Sequence, residues 1–243
     1  MSQELLEFVF ASGSLSKRFR IYLERAGYEL TDPDSRGFCG ISRGVRFWQR
    51  DRRMIPWHVV SGRFDAGLTG HDLILSSGVD LDSFRMLQEL PFSRNSDGPS
   101  TWVLAAHPKD DHKRCRNDLG LIPVTVGCEL PGLARCLQGA WSGPYWFEQI
   151  IPLEGNEEMA IEDGLCEAIL VVSETGKSLK EAGLTIISSE PFLSSPQIIA
   201  KNSLLYREKE VALKVLCSTL SDAVRGHAKL AKGPQGDTRG YHH

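Results

Sequence analysis

The 243-residue sequence contains no apolar run that approaches the roughly 20 residues a membrane-spanning helix requires. It has no basic excess either, because its formal net charge is −3, and this argues against a dedicated nucleic-acid binder. The acidic amino terminus lacks the basic start of a secretory signal. With a hydrophobic content of 41%, the composition is typical of a globular protein, which we expect in the cytoplasm.

The six cysteines are widely scattered and include no Cys-x-x-Cys pair, so neither a zinc ribbon nor a disulfide framework is indicated. We expect reduced thiols, several of them buried. His107 and His112 lie close together among aspartates and lysines, but no further ordered ligands surround them. The sequence therefore predicts no metal site made by protein side chains alone.

Alternating strand and helix patterns predict an α/β protein with mainly parallel sheets. Polar, turn-rich residues at 95–100 indicate a first break between two lobes, and a second crossing is expected near Thr185. The first lobe is expected to contain residues 1–95 and 186–230, including a long carboxy-terminal helix. Residues 96–185 are expected to form the second lobe, and residues 231–243 a disordered tail.

The most informative segment is residues 158–179. Its apolar run at residues 169–172 is typical of a buried strand, and the small polar residues at 173–178 lead into a predicted helix. Unpaired backbone N–H groups and hydroxyls at such a turn favour an anion, which suggests phosphate binding. An ordinary loop with a helix cap is the alternative interpretation.

Arginines are concentrated in one short region of the chain. They are Arg43, Arg46, Arg50, Arg52 and Arg53. This concentration is consistent with a local basic face for a small anionic ligand, and equally with a solvated loop and strand edge.

Several separated motifs together resemble the ATP phosphoribosyltransferase family of histidine biosynthesis. In residues 158–179 the matching positions are Glu158, Gly164, Glu167, Ala168, Ile169, Thr175, Gly176 and Leu179. Further matches, in the same order along the chain, are Ser12-Gly13-Ser14-Leu15, Ala26-Gly27-Tyr28, Arg50 with Ile55-Pro56, and the segment containing Gly62, Asp65, Gly67, Gly70 and Asp72. The resemblance extends over about residues 8–205.

This resemblance implies a two-lobed fold like that of type II periplasmic binding proteins, with a central cleft. It also implies condensation of ATP with phosphoribosyl pyrophosphate, assisted by Mg²⁺, with release of pyrophosphate. The length corresponds to the short form of the family, so we expect an oligomer, in some members with a separate regulatory subunit, and no nucleic-acid or membrane partner.

The family's functional positions map onto three groups of residues in this sequence. The catalytic carboxylates would be Glu158 and Glu167. The residues that bind phosphoribosyl pyrophosphate would be Ser173, Glu174, Thr175, Gly176, Lys177 and Ser178. The nucleotide-binding residues would be Ser12, Gly13, Ser14, Arg50, Asp65, Gly67, Gly70 and Asp72, with Lys17 and Arg18 as further cations.

Three departures from the family pattern affect charged positions. Val171 replaces an aspartate, Ser14 replaces a basic residue, and residues 125–131 replace a loop on the phosphate side. A divergent relative that binds a phosphorylated metabolite or nucleotide, without catalysis or with another acceptor, is therefore the alternative function. A solute-binding protein of the same fold is a third interpretation, which the absence of an export signal disfavours.

Overall fold

The computed structural model describes residues 4–108, 120–138, 144–173, 175–188, 190–202, 204 and 206–231. His112, the predicted loop residue Glu174 and the predicted tail from residue 232 onward lie outside these described residues. Within them, no helix is both long and apolar enough to cross a membrane.

The first lobe is built on a six-stranded sheet. Its strands are β1 (Leu6–Ala11), β2 (Phe38–Ser42), β3 (Val45–Arg50), β4 (Ala66–Gly70), β5 (Phe84–Glu89) and β12 (Pro196–Lys201), in the order β2-β3-β1-β4-β12-β5. The helices of this lobe are α1 (Ser14–Arg25), α2 (Ile55–Val60), α3 (His71–Ser77) and α7 (Arg207–Ala231). Strands β3, β1 and β4 run parallel to one another, so their carboxyl ends meet at one edge of the sheet.

The second lobe is built on a sheet in the order β10-β6-β9-β7-β8, with β11 also paired to β6. These strands are β6 (Ser100–Ala106), β7 (Ile122–Cys128), β8 (Tyr145–Pro152), β9 (Ala168–Val172), β10 (Thr185–Ile186) and β11 (Phe192–Ser194). The helices are α4 (Pro131–Gln138), α5 (Glu157–Glu162) and α6 (Lys177–Glu181). Strands β9, β7 and β8 are parallel, and their carboxyl ends face the first lobe.

The α/β class is confirmed, but the expectation of mainly parallel sheets is wrong. Strand β12 runs antiparallel to both β4 and β5, and β6 runs antiparallel to β9. These two strands carry the chain between the lobes, so they enter each sheet against the direction of its parallel strands. The second crossing between the lobes was expected near Thr185, but Thr185 and Ile186 pair with β6 of the second sheet. The return to the first lobe occurs at Ser195.

Each sheet is covered on both faces by apolar side chains. In the first lobe, α1 and α7 cover one face, and the apolar side of α7 consists of Leu213, Leu216, Leu220 and Val224, as its helical spacing predicts. Helices α2 and α3 cover the other face. Helices α4 and α5–α6 cover the two faces of the second sheet. Burial of these layers fixes the strand ends on either side of a cleft between the lobes.

Two strands of the first sheet, β2 and β5, have no counterpart in the sequence prediction. Strand β2 contains Gly40, whose φ of 114° and local register shift interrupt any alternating pattern. Strand β5 lies at the edge of the sheet and alternates weakly, with Met86 exposed and Arg85 half-buried. Their positions depend on pairing with neighbouring strands, which local composition does not reveal.

Candidate active site

The cleft between the lobes contains a cavity of about 620 Å³. It lies where the carboxyl ends of β1 and β4 approach those of β7 and β9, the position at which open α/β sheets usually bind ligands. The lining includes Ser12, Gly13, Leu15, Asp51, Arg52, Gly70, Asp72, Arg94, Trp102, Glu129, Glu157, Val171, Val172, Ser194 and Ser195. The volume is within the usual range for a small-molecule site.

Loop residues Ser12 and Gly13 bring the end of β1 to the cavity. Gly13 has φ 94° and ψ −155°, a conformation that side chains rarely allow, and α1 begins at the next residue, Ser14. The N–H of Ser12 donates to the carbonyl of Arg50 at 2.8 Å, which fixes this loop against the end of β3. The predicted residues Ser12 and Gly13 therefore line the cleft.

Asp72 connects the two lobes at the floor of the cleft. Its Oδ2 accepts a hydrogen bond from the indole Nε1 of Trp102, 3.1 Å away in the second lobe. Its backbone N–H donates to the Oγ of Ser194 at 3.0 Å. Gly70 packs directly on this carboxylate, and a β-carbon at position 70 would stand 3.3 Å from the Asp72 Cγ. The structure thus brings Gly70 and Asp72, two of the predicted nucleotide-binding residues, together at the cleft.

Gly67 and Asp65, two other predicted nucleotide-binding residues, lie away from the cavity. A β-carbon on Gly67 would collide with the Val9 side chain, so this glycine permits close packing inside the lobe. Asp65 is only 3% exposed, before the amino end of β4. It accepts hydrogen bonds from Lys201 at 2.7 Å and from Lys209 at 2.9 Å.

The Asp65 carboxylate connects β4, β12 and α7. It also accepts the backbone N–H of Glu7 at 3.0 Å. Burial favours the neutral acid, but the hydrogen bonds from Lys201, Glu7 and Lys209 outweigh burial and hold the pKa of Asp65 below its usual value. The geometry supports a structural role for Asp65, and nothing in the described residues places it near a cleft ligand.

Arg50 points away from the cavity, whereas Arg52 lines it. The Arg50 guanidinium lies over the Trp48 ring, 5.2 Å from its centroid. Arg52 and Arg53 both pair with Glu129 of the second lobe, Arg53 at 3.0 Å. These pairs close one side of the cleft.

The predicted phosphate loop follows directly after the wall formed by Val171 and Val172. Gly176 has a left-handed φ of 68° and precedes α6, and its N–H donates to the Oγ of Ser173 at 3.1 Å. The N–H of Lys177 donates weakly to the Oγ1 of Thr175 at 3.4 Å. The hydroxyl oxygens of Ser173 and Thr175 accept hydrogen bonds from backbone N–H groups that could otherwise donate to a phosphate. A bound phosphate would therefore replace these hydroxyl oxygens as the acceptor.

Other side chains of this loop point to solvent. Lys177 and Ser178 are exposed, and Lys177 forms a long ion pair with Glu181 at 3.7 Å. None of the described loop residues lines the cavity itself; the loop lies at its rim.

The two predicted catalytic glutamates lie at different places. Glu158 is half-buried in the first turn of α5, but its neighbour Glu157 lines the cavity. Glu167 lies before the amino end of β9, the end opposite to Val172, and its Oε2 accepts the N–H of Thr125 at 2.9 Å. The structure therefore brings Glu158 to the border of the cleft and leaves Glu167 at the far side of the sheet.

Val171 is 9% exposed and packs in an apolar cluster with Val103, Leu179 and Leu184. Its position at the cleft wall is apolar where the family pattern has an aspartate. Cys128, at the end of β7, is also unsuited to ionise, because burial raises the pKa of its thiol to about 12.

Several residues that line the cleft are absent from the predicted site residues, namely Trp102, Glu129, Arg94 and Glu157. Glu157 precedes the motif position Glu158, and this is the only feature of the local sequence that could have indicated it. The others come together only when the lobes pack. Arg18, a predicted cation, instead pairs with Asp97, and Lys17 is exposed.

Among the described residues, the cavity lining contains the carboxylates Asp51, Asp72, Glu129 and Glu157 but only the cations Arg52 and Arg94. A polyanion would meet more negative than positive charge there. This donor set suits Mg²⁺, which typically binds proteins through one or two carboxylates together with substrate phosphates. Within the described part of the chain, no cluster of three or more His, Cys, Asp or Glu could hold a metal by itself.

Comparison with known proteins identifies the family. The family model described as HisG, ATP phosphoribosyltransferase, matches residues 51–222. This chain belongs to the ATP phosphoribosyltransferase family. An ATP phosphoribosyltransferase of Solidesulfovibrio magneticus is 30% identical over 239 residues, covering 91% of this chain and 73% of that protein.

Two further family members match over smaller shares of their length. The protein of Nitratidesulfovibrio vulgaris is 32% identical over 60% of this chain, and that of Streptomyces avermitilis is 31% identical over 78%. The chain spans 46% and 61% of these two relatives.

Solved structures confirm the predicted two-lobed, periplasmic-binding-protein-like fold. The "ATP phosphoribosyl transferase (HisG:HisZ) complex from Thermotoga maritima" superposes with a TM-score of 0.70 at 21% identity, covering 92% of this chain and 100% of that chain. An amino acid ABC transporter substrate-binding protein, AbpA from Streptococcus pneumoniae, superposes with a TM-score of 0.53 at 13% identity, covering 95% of this chain and 92% of that one. At these identities the likeness concerns the fold alone.

Proposed function

We propose that this chain is a cytoplasmic ATP phosphoribosyltransferase that carries out the first step of histidine biosynthesis. The reaction condenses ATP with phosphoribosyl pyrophosphate: the bond from the anomeric carbon to pyrophosphate breaks, and a bond to a ring nitrogen of adenine forms. The observation that carries the proposal is that the described part of the loop at residues 173–178 directly follows Val172, which lines the cleft together with Ser12 and Gly13, in a chain of this family.

In this proposal the loop holds the 5′-phosphate. The N–H groups of Gly176 and Lys177 exchange their contacts with Ser173 and Thr175 for phosphate oxygens, and the two hydroxyls turn to donate to the same group. Because the loop directly follows β9, it would fix the ribose at the carboxyl end of that strand, beside Val171 and Val172.

Charge in the cleft would then act on the reacting centre. Positive charge develops at the anomeric carbon as pyrophosphate leaves, and a carboxylate placed nearby stabilises it. Glu157 lines the cavity and Glu158 follows it, so these side chains are the candidates, while Glu167 would act only through the position of β7 and β9. Arg52 and Arg94 would hold the departing pyrophosphate.

The carboxylate of Asp51 would hold Mg²⁺ together with substrate phosphates, which leaves Glu157 free to act on the anomeric carbon. When bound, the cation neutralises phosphate charge and orients the leaving group. Asp72 would keep its contact with Trp102 and so maintain the floor against which the adenine packs.

The direct test is to combine the purified chain with ATP, phosphoribosyl pyrophosphate and Mg²⁺ and to measure pyrophosphate release and the coupled nucleotide. Thr175→Val should lower kcat/KM at least about tenfold, the loss expected for one charged hydrogen bond, and leave the fold intact. Thr185→Val is the matched control, because its hydroxyl bonds the Ala106 carbonyl in the second sheet. Unchanged turnover in Thr175→Val would remove the loop from the phosphate site.

A partner is proposed as well. The Thermotoga maritima structure with the same fold is a HisG:HisZ complex. By that likeness we propose that this chain works as an oligomer together with a separate regulatory subunit. Absence of product with the chain alone would therefore be followed by the same assay with a regulatory subunit added, and failure in both would overturn the enzymatic proposal.

Val171 favours a second candidate function, a relative that binds a phosphorylated metabolite or nucleotide without this catalysis, or with another acceptor. Its apolar side chain sits in the cleft wall within a buried cluster. Thermal unfolding separates the two candidates, because a ligand that binds the folded state raises the midpoint. Stabilisation by ATP alone or by phosphoribosyl pyrophosphate alone, without turnover, would favour the binding protein.

A further inference from the structure

A second cavity, of about 590 Å³, opens on the outer side of β3 in the first lobe. Its lining residues are Glu7, Arg36, Trp48, Arg50, Arg63 and Phe64, which we call the arginine pocket. None of these residues lines the cleft cavity. The pocket therefore gathers part of the arginine-rich sequence that the proposed reaction does not use.

Arg50 is held in place within this pocket. Its guanidinium carbon lies 5.2 Å from the centroid of the Trp48 ring and 5.6 Å from that of Phe64. Its Nη1 donates to the carbonyls of Arg36 at 2.5 Å and Gln49 at 2.7 Å. In the part of the chain that the structure describes, Nε and Nη2 make no hydrogen bond, which leaves donors of a fixed guanidinium for a ligand.

The pocket carries more positive than negative charge. Among the described lining residues the one carboxylate is Glu7, which already pairs with Arg46 at 2.5 Å and accepts a hydrogen bond from the indole Nε1 of Trp48 at 2.6 Å. Asp34 lies outside the lining and pairs with Arg36 at 3.2 Å. Arg63 forms no ion pair with any described residue.

The neighbouring His58 responds to the same charge. Burial lowers the pKa of His58, and the guanidinium groups of Arg50 and Arg63 lower it further. The His58 ring meets Phe64 edge to face, with centroids 5.6 Å apart, so it borders the pocket. A cationic imidazole is disfavoured here because positive charge is already present.

We propose that the arginine pocket binds the phosphate group of a small organic phosphate, with the organic part packed against Trp48. Guanidinium groups match phosphate oxygens with paired N–H donors, and several guanidiniums together favour a dianion over a monocarboxylate. The aromatic wall supplies apolar contact that inorganic phosphate cannot use. The site is separate from the cleft and does not depend on the proposed reaction.

Two tryptophan side chains report the two sites independently. Trp48 Nε1 donates a hydrogen bond to Glu7 at the arginine pocket, and Trp102 Nε1 donates one to Asp72 in the cleft. The experiment is titration of the full chain with adenosine monophosphate, followed by the ¹⁵N resonances of the indole groups. Trp48→Phe and Trp102→Phe assign the two signals.

A saturable shift of the Trp48 signal is the expected result, with a weaker response to inorganic phosphate and none to adenosine. Arg63→Gln should weaken the binding measured at Trp48 about tenfold or more, since one charged hydrogen-bonding group is lost. Arg36→Gln should act in the same direction. The matched control is Arg135→Gln, an exposed arginine on α4, which should leave the affinity unchanged.

Three results would overturn the proposal: no saturable shift at Trp48, equal affinity for inorganic phosphate, or equal weakening by Arg135→Gln. A shift at Trp48 with a silent Trp102 would support the arginine pocket while counting against nucleotide binding in the cleft. A shift at Trp102 alone would support the cleft and remove the second site.

Discussion

Arg52 of the first lobe and Glu129 of the second form an ion pair across the mouth of the cleft. Arg53 reaches the same carboxylate at 3.0 Å. Glu129 follows β7 directly, and Arg52 follows β3, so the pair spans the opening between two strand ends. The carboxylate occupies guanidinium groups that would otherwise face an incoming phosphate.

Glu129→Gln should therefore raise the affinity of the cleft for pyrophosphate. An anion must compete with Glu129 for the two arginines, and partly exposed ion pairs contribute up to about 1 kcal/mol, or roughly fivefold in affinity. We expect a two- to fivefold tighter Kd, on the order of that contribution, measured by calorimetry at low salt without divalent cation.

Glu24→Gln is the control for loss of one negative charge, since Glu24 is exposed on α1 and forms no ion pair with a described residue. It should leave the Kd unchanged. Weaker pyrophosphate binding in Glu129→Gln would mean that the carboxylate supports the site instead of competing for it.

Gly70→Ala should disturb the cleft while sparing the fold. Gly70 has φ −73° and ψ 147°, which alanine adopts readily, but the new β-carbon would overlap the Asp72 carboxylate. Asp72 must then leave Trp102 Nε1. We expect a shifted Trp102 indole resonance and at least about a tenfold loss of kcat/KM, the usual scale for a displaced positioning group.

Gly226→Ala in α7 is the matched control, because a β-carbon there meets no atom within 4 Å. It should leave activity unchanged and stabilise the helix slightly. An unchanged Trp102 signal in Gly70→Ala would show that Asp72 is not held by this close contact.

Asp65→Asn should destabilise the first lobe without weakening nucleotide binding in the cleft. Removing one partner from a buried charge cluster costs about 3 kcal/mol, because Lys201 and Lys209 lose their shared carboxylate. Urea unfolding at pH 7 measures the change in unfolding free energy. Asp82→Asn, at an exposed aspartate, should change it little.

The pH dependence of this effect has a definite sign. The pKa of Asp65 is lowered in the folded state, so its contribution is complete above the unfolded value of about 3.9 and is lost as pH falls through the folded value. The free-energy difference between wild type and Asp65→Asn should thus be constant near neutral pH and shrink below about pH 4. A difference that grows on acidification would contradict the assigned contacts.

The position of Asp65 shows which parts of the candidate site the sequence predicts and which it does not. The family resemblance predicted Ser12, Gly13, Gly70 and Asp72 as nucleotide-binding residues, and all four line the cleft in the structure. They meet there because residues that follow parallel strands share one edge of the sheet. The same glycine-rich segment gave no sign that Asp65 lies before the opposite end of β4.

The direction of a side chain is a second property that the sequence does not predict. Arg50 ends a strand at the cleft edge, but stacking on Trp48 turns it to the outer face. Contacts between the lobes are a third property that the sequence does not predict. Glu129 and Trp102 join the cleft through contacts between the lobes, among them the packing of α3 against α4, where Gly132 lies against the backbone of Ser76. Such long-range approaches leave no local pattern.

Separate replacement of the neighbouring residues Glu157 and Glu158 by glutamine tests which carboxylate acts on the anomeric carbon. Glu157 lines the cavity, whereas Glu158 lies half-buried beside it in the same helical turn. Successive helical residues point about 100° apart, so both cannot face one substrate atom. We expect Glu157→Gln to lower kcat by about 100-fold, on the scale of losing one stabilising charge, with a smaller loss in Glu158→Gln.

Both variants keep the size of the side chain, so thermal midpoints should stay within a few degrees of wild type and separate catalysis from folding. The Kd for phosphoribosyl pyrophosphate distinguishes two roles of Glu157. A lower kcat with unchanged Kd indicates charge stabilisation in the transition state, whereas a higher Kd indicates a contribution to substrate binding. A larger kcat loss in Glu158→Gln than in Glu157→Gln would return the catalytic role to the residue that the family motif predicts, and would require α5 to rotate when substrate binds.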